Sequence, residues 1–135
     1  MKFVKNEGFS KLEPMGENDI KFVKIASVER QTEDEYLFRF DVPIEHAPGQ
    51  FMQLSVLGIG EAPMSICSSH KDYFEMSIRD VGNVSSKICA LKAGDTVGIR
   101  GPYGRGYPIE SLEGNNVVII GGGSGVAPVR GIIEY

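Results

Sequence analysis

The chain has 135 residues, enough for one domain with a real core and too few for two. Hydrophobic residues at 41% and charged residues at 24% are globular values, and no run reaches the roughly 18 apolar residues of a membrane helix. A formal charge of −4 speaks against nucleic-acid binding, and two cysteines without CxxC spacing plus two scattered histidines speak against a metal site.

Residues 1–19 are polar and show no clean period, so they read as an N-terminal arm. They lack the apolar stretch of an export signal, which makes the cytoplasm the expected compartment. Alternation begins at Ile20 and Phe22 in "IKFVKIASV". In "EYLFRFDV", Tyr36, Phe38, Phe40 and Val42 alternate with Leu37, Arg39 and Asp41, the pattern of a half-buried strand. Met52, Leu54 and Val56 continue it, then Phe74, Met76 and Ile78, and "DTVGIRG" supplies a further short strand. Turn clusters separate these runs: "APGQ", "GIGE", "SSHKD", "KAGD" and "GPYGRGYP". In "NVSSKICALKAG", Val84, Ile88 and Leu91 fall at helical spacing, with Gly94 as a stop. Antiparallel strands with one helix plugging an end predict an all-β fold, a small closed barrel over residues 20–113. The regime changes near residue 115. "VVII" at 117–120 is apolar without alternation, as in a strand buried on both faces of a parallel sheet, so 114–135 reads as the start of a second, α/β domain.

Three stretches carry candidate chemistry. In "GGGSGVAP", Gly122, Gly123, Ser124 and Gly125 allow close backbone approach to a pyrophosphate, with Pro128 in the first turn of a helix. Pro128 stands where the third glycine of a full GxGxxG would be, so a plain strand-to-helix turn remains the alternative. In "RDVGNVSSKI", Gly82 and Asn83 make a turn, and the unpaired amides of a helix start follow at once. Ser85 reads equally as a phosphate donor or as a simple cap. The serines of "EAPMSICSS" follow a strand and have no decided role from composition.

Taken in order, "APGQF", "APMSICSS", "VGNVSS", "GIRGPYGRGYP" and "VVIIGGGSGVAP" resemble the flavin-binding barrel of the ferredoxin–NADP reductase superfamily and the first strand of its NAD(P) domain. Within it, the chain is most similar to gamma-type diaphorase subunits of hydrogenases and sulfhydrogenases and to the related subunit of anaerobic sulfite reductase. Electron-transfer subunits of some dihydroorotate dehydrogenases resemble it a little less. The resemblance implies FAD as cofactor, held by Pro63, Met64, Ser65, Ile66, Cys67, Ile78, Arg79, Gly82, Asn83, Val84, Ser85 and Ser86. Ser65 takes the catalytic place, hydrogen-bonding near flavin N5. Most members carry Arg-x-Tyr-Ser at 62–65, where the arginine holds pyrophosphate and the tyrosine stacks on the ring; this chain has Ala62 and Met64 there. Met64 still offers a polarizable thioether, but Ala62 holds no phosphate. Arg79 is expected to supply the missing charge, with a solvent-facing arginine as the plain alternative.

The resemblance further implies hydride transfer from NAD(P)H to the flavin, then single electrons to a redox partner subunit. Gly122 to Gly125 form only part of a dinucleotide site and ten residues follow, so this chain alone is expected to lack turnover. No metal, nucleic acid or membrane insertion is expected. From another class, a barrel that lost its cofactor and serves as a binding or assembly domain remains the alternative.

Overall fold

The computed structural model describes residues 19–135, so the expected arm lies outside the described residues apart from Asp19. The run from Lys21 to Arg30 forms two strands, β1 (Lys21–Lys24) and β2 (Ser27–Arg30), and not one. Between them the amide of Ile25 donates to the Asp95 carbonyl (2.9 Å) and that of Ala26 to the Arg39 carbonyl (2.8 Å). The chain passes from one sheet to another at this corner, a manoeuvre that residue parity does not reveal.

The other strands are β3 (Glu35–Phe40), β4 (Phe51–Val56), β5 (Gly60–Ser65), β6 (Phe74–Arg79) and β7 (Thr96–Tyr103). They pair antiparallel throughout, in a four-stranded sheet of order β1-β7-β4-β5 and a three-stranded sheet of order β2-β3-β6. The architecture is β-rich as expected, but the barrel is not closed. β5 and β6 are edge strands that approach without a hydrogen-bonded ladder, and helix α1 (Asn83–Cys89) packs against both.

The alternation read from the sequence decides the core. Phe38, Phe40, Met52, Leu54, Phe74, Met76, Ile78, Val97 and Ile99 are each at most 1% exposed and belong to one cluster shared by both sheets. Paired across β3 and β6, Phe40 and Phe74 stack at 4.8 Å. Burying side chains of this size contributes about 1.5–3 kcal/mol each relative to exposure. Ile88, the inward residue of α1, joins the same cluster and closes the end between β5 and β6. The helix ends at Cys89, and Gly94 acts later than expected: with φ +92° it turns the chain between Lys92 and Asp95.

Two of the turn motifs meet. Gln50 accepts from the Ala47 amide (2.8 Å) and donates to the Gly104 carbonyl (2.7 Å), while the Tyr107 amide donates to the Pro48 carbonyl (2.8 Å). Gly49 has φ +91°, and a Cβ there would lie 2.6 Å from the Tyr107 ring, so "APGQ" needs its glycine for both conformation and space.

Beyond β7 lie helix α2 (Ile109–Leu112), a 3₁₀ turn at Gly123–Val126 and helix α3 (Ala127–Glu134). The strand expected over 117–120 does not form. An apolar run becomes a strand only against a neighbour, and this one joins neither sheet, with Val118 and Ile120 83% and 91% exposed. The helix start after the glycines does form, with Pro128 in its first turn.

Replacing Ile88 with alanine removes the plug's apolar anchor and is expected to cost about 2–5 kcal/mol. Val81→Ala, at a 74% exposed position, should stay within about 0.5 kcal/mol. Urea denaturation followed by circular dichroism distinguishes them; equal midpoints would contradict the role given to α1.

Candidate functional site

The open seam between β5 and β6 gathers two of the three chemistry-bearing stretches. Pairing of Met64 with Met52 and Ala62 with Leu54 turns both β5 residues toward the core side, where Met64 and Val84 pack on the cluster's rim. Ser65 pairs with Phe51 and projects to the opposite face, so Met64 and Ser65 share only the strand's free edge. Pro63 is exposed, whereas Ile66 and Ile78 are at most 1% exposed within the core cluster, and Cys67, equally buried, faces the outer side of the three-stranded sheet. A Cβ on Gly60 would lie 3.3 Å from Val84, so the β4–β5 hairpin reaches the start of α1.

The turn into α1 is built around Ser85. Its hydroxyl accepts from the amides of Gly82 (2.9 Å) and Val81 (3.2 Å) and donates to the Gly82 carbonyl (3.2 Å). Of the two readings of Ser85, the turn uses its hydroxyl as a cap. Ser86 donates to the Asp80 carboxylate. The amides of Asn83, Val84 and Ser85 belong to the first turn, where a helix offers them no acceptor of its own.

Arg79 ends β6, three residues before Gly82. It follows Ile78, so it shares the outer face of the three-stranded sheet with Ser77 and Glu75, and its Nε donates to Asp34 Oδ2 at 2.7 Å. This contact and the Thr32 hydroxyl hold the Asp34 carboxyl below the usual carboxylate range. The Asp80 amide also donates to the Asp34 carbonyl (2.8 Å), fastening the β2–β3 turn to the entry of α1. The sequence offered no signal for Asp34, because a β-turn aspartate is common whatever it binds.

The third stretch, Gly122 to Gly125, does not meet the seam directly. It lies over the outer face of the three-stranded sheet, where Ser124 Oγ stands 3.5 Å from Glu35 Oε2 and the Gly125 amide donates to the Gly122 carbonyl. A cavity of about 410 Å³ separates loop and sheet, walled by Glu29, Glu35, Ser77, Cys67, Gly123 and Arg130. Cys67 is thus the point where the strand end carrying Ser65 and the glycine-loop helix approach each other. Burial pushes its thiol up to about 11, with Arg130 pulling the other way, and burial likewise pushes Cys89 up to about 11. Glu75 and Arg130 were missed from sequence; the alternation of Phe74 and Met76 sends Glu75 outward, and only tertiary packing brings Arg130 of α3 over it. Among the described residues no group of three or more His, Cys, Asp or Glu side chains is placed to hold a metal ion, and no helix is long and apolar enough to cross a membrane.

With this geometry in hand, comparison with known proteins finds that residues 22–107 match the family described as "Oxidoreductase FAD-binding domain". The gamma subunit of sulfhydrogenase 1 from Pyrococcus furiosus is 43% identical over 90% of this chain and 44% of its own length. A probable dihydroorotate dehydrogenase B electron transfer subunit from Pyrococcus abyssi is 41% identical over 73% of this chain and 37% of its own. The chain therefore spans less than half the length of these curated relatives. Among solved structures, an Amycolatopsis cytochrome P450 reductase superposes with a TM-score of 0.70 at 26% identity, covering 84% of this chain and 38% of that one.

Both thiols keep their protons at neutral pH, so iodoacetamide should alkylate the folded chain slowly at pH 7 and faster as pH rises toward about 11. The raised values also set a stability trend. Between the ordinary thiol value of 9.0 and about 11 the unfolded chain releases protons that the folded chain retains. Stability present below pH 9.0 is therefore lost as pH climbs through that window. A denaturation midpoint that is flat there in wild type, or falls no more steeply than in a Cys67→Ala variant, would contradict the assignment.

Proposed function

The chain belongs to the oxidoreductase FAD-binding domain family, and from that premise we propose that it is the flavin-binding module of an electron-transfer subunit fed by NAD(P)H and discharging to a redox partner subunit. The observation that carries this reading is the open seam. Free edges of β5 and β6 face each other there, and the first turn of α1 begins at the same place. A ligand with an apolar ring and an anionic tail matches that combination of an apolar floor with unpaired main-chain donors.

The described residues fit FAD in this way. Pro63 and Met64 give the ring an apolar, polarizable bed, backed by the core through Ile66 and Ile78, with Cys67 at the strand end. Ser65 is the catalytic residue, donating a hydrogen bond to the ring. The amides of Asn83, Val84 and Ser85 hold the pyrophosphate, while Gly82 and the Ser85 hydroxyl keep the turn in shape and Ser86 fastens it to Asp80. Arg79 supplies positive charge through its Nη groups while Nε stays on Asp34. When bound, FAD supplies the exchange between hydride and single electrons, chemistry that is the cofactor's own. The chain binds, orients and keeps water from the ring. Gly122, Gly123, Ser124 and Gly125 contribute part of the NAD(P)H site. The names of the similar proteins, subunits of a sulfhydrogenase and a dihydroorotate dehydrogenase, support a partner subunit. Two free cysteines accord with the cytoplasm as the compartment.

A cofactor-free assembly barrel is the second reading, favoured by specific features. Ala62 bears no charge, Arg79 is engaged by Asp34, and Asp80 places a carboxylate beside the turn.

Purified chain is expected to be yellow, absorbing at roughly 450 nm as oxidised flavins do. A colourless protein that ignores added FAD and FMN would favour the second reading. Arg79→Ala should weaken FAD affinity roughly ten-fold, with Arg79→Lys intermediate. Unchanged affinity across several salt concentrations removes Arg79 from the site.

A further inference from the structure

Glu75 stands on the outer face of β6 yet is only 9% exposed, a place where a carboxylate needs a partner. The partner comes from far along the chain: Arg130 Nη1, on α3, lies 3.0 Å from Glu75 Oε2. That oxygen makes no directed hydrogen bond, so charge holds the contact. Arg130 Nε in turn binds Glu134 Oε1 at 2.8 Å, one helical turn on, which pre-orders the guanidinium. The other oxygen of Glu134 accepts the Ser69 amide at 3.2 Å. Inside this circuit Arg130 Nη1 lies 3.8 Å from Cys67 Sγ. Where α3 meets the strand end, a Cβ on Gly131 would lie 3.4 Å from both Pro48 and the Ser68 carbonyl.

This circuit matters because no backbone ladder does its work. Residues 117–120 pair with no strand among the described residues, so the position of the glycine loop depends on how α3 is seated. We propose that Arg130 and Glu75 are positioning residues, a latch that registers the glycine loop of Gly122–Gly125 against the strand end of Ser65–Cys67. The inference rests on the reading of those two segments as halves of one redox site. Transfer between two bound rings is steep in distance, and a displacement of about 1 Å is enough to cost rate heavily.

The test uses the full chain with Cys89→Ser, so that Cys67 alone reports. With rates compared at equal thiolate fraction from each variant's own pH profile, since Arg130 lowers and Glu75 raises the Cys67 thiol, Arg130→Met and Glu75→Gln should each speed iodoacetamide alkylation of Cys67 roughly ten-fold, the double variant no more than either single, and Arg130→Lys should restore slow alkylation in part. Hydrogen exchange should rise at 123–134 and 66–69 while the urea midpoint of the strands holds. Unchanged alkylation, additive effects, or exchange and midpoint failing together across the whole fold would overturn the latch. Wild-type chain that binds no FAD would overturn the flavin reading instead, since alkylation and exchange read the latch without cofactor.

Discussion

The gap in the hydrogen-bond ladder between β5 and β6 is the constraint on which the rest of this structure depends. Two antiparallel sheets share one core, but between their facing edges no ladder forms, and the strand ends meet through the Cys67 amide on the Glu75 carbonyl (2.9 Å). Edge strands left this way invite wrong partners. Here the edges are managed by a helix: α1 lies over both strands and sends Ile88 into the core. Because a helix cannot complete a β ladder, its first turn arrives with amides to spare beside edges that no ladder joins. The proposed flavin site draws on that incompleteness and not on any single reactive side chain.

Electrostatics near the seam is set by local pairs. Ala62 offers only a methyl group, and four arginines pair with nearby carboxylates: Arg39 with Asp41, Arg79 with Asp34, Arg100 with Glu61, and Arg130 with Glu75 and Glu134. Exposed pairs such as Arg79 with Asp34 are worth little in stability, so a competing phosphate can share the guanidinium at small cost. Arg130 differs, because its partner Glu75 is buried and removing one member strands the other.

The glycine-loop segment is attached by a different logic from the barrel. Strand registers fix the barrel to within a residue, since a slip would turn Phe38, Met52 and Phe74 out of the core together. Gly122 to Gly125 and α3 have no register to obey and are seated by side chains, through Gly131 against Pro48 and Ser68 and through the charged circuit around Cys67.

Much of this was legible in the residues. Alternation at 36–42, 52–56 and 74–78 identified the strands and their inward faces, because a two-residue period with one wet side admits few other readings. The glycines, prolines and serines of the five signatures marked where the chain turns and where main-chain groups come free, and their order pointed to the family. The split at Ile25–Ala26, the failure of 117–120 to form a strand, the cap made by Ser85, the pairing of Arg79 with Asp34 and the burial of Glu75 under α3 were not legible. Period and turn chemistry are local, so one sequence suffices to read them. Which edges meet, which carboxylate finds which arginine and which outward face is covered depend on residues tens of positions apart, and only the packed chain brings those together.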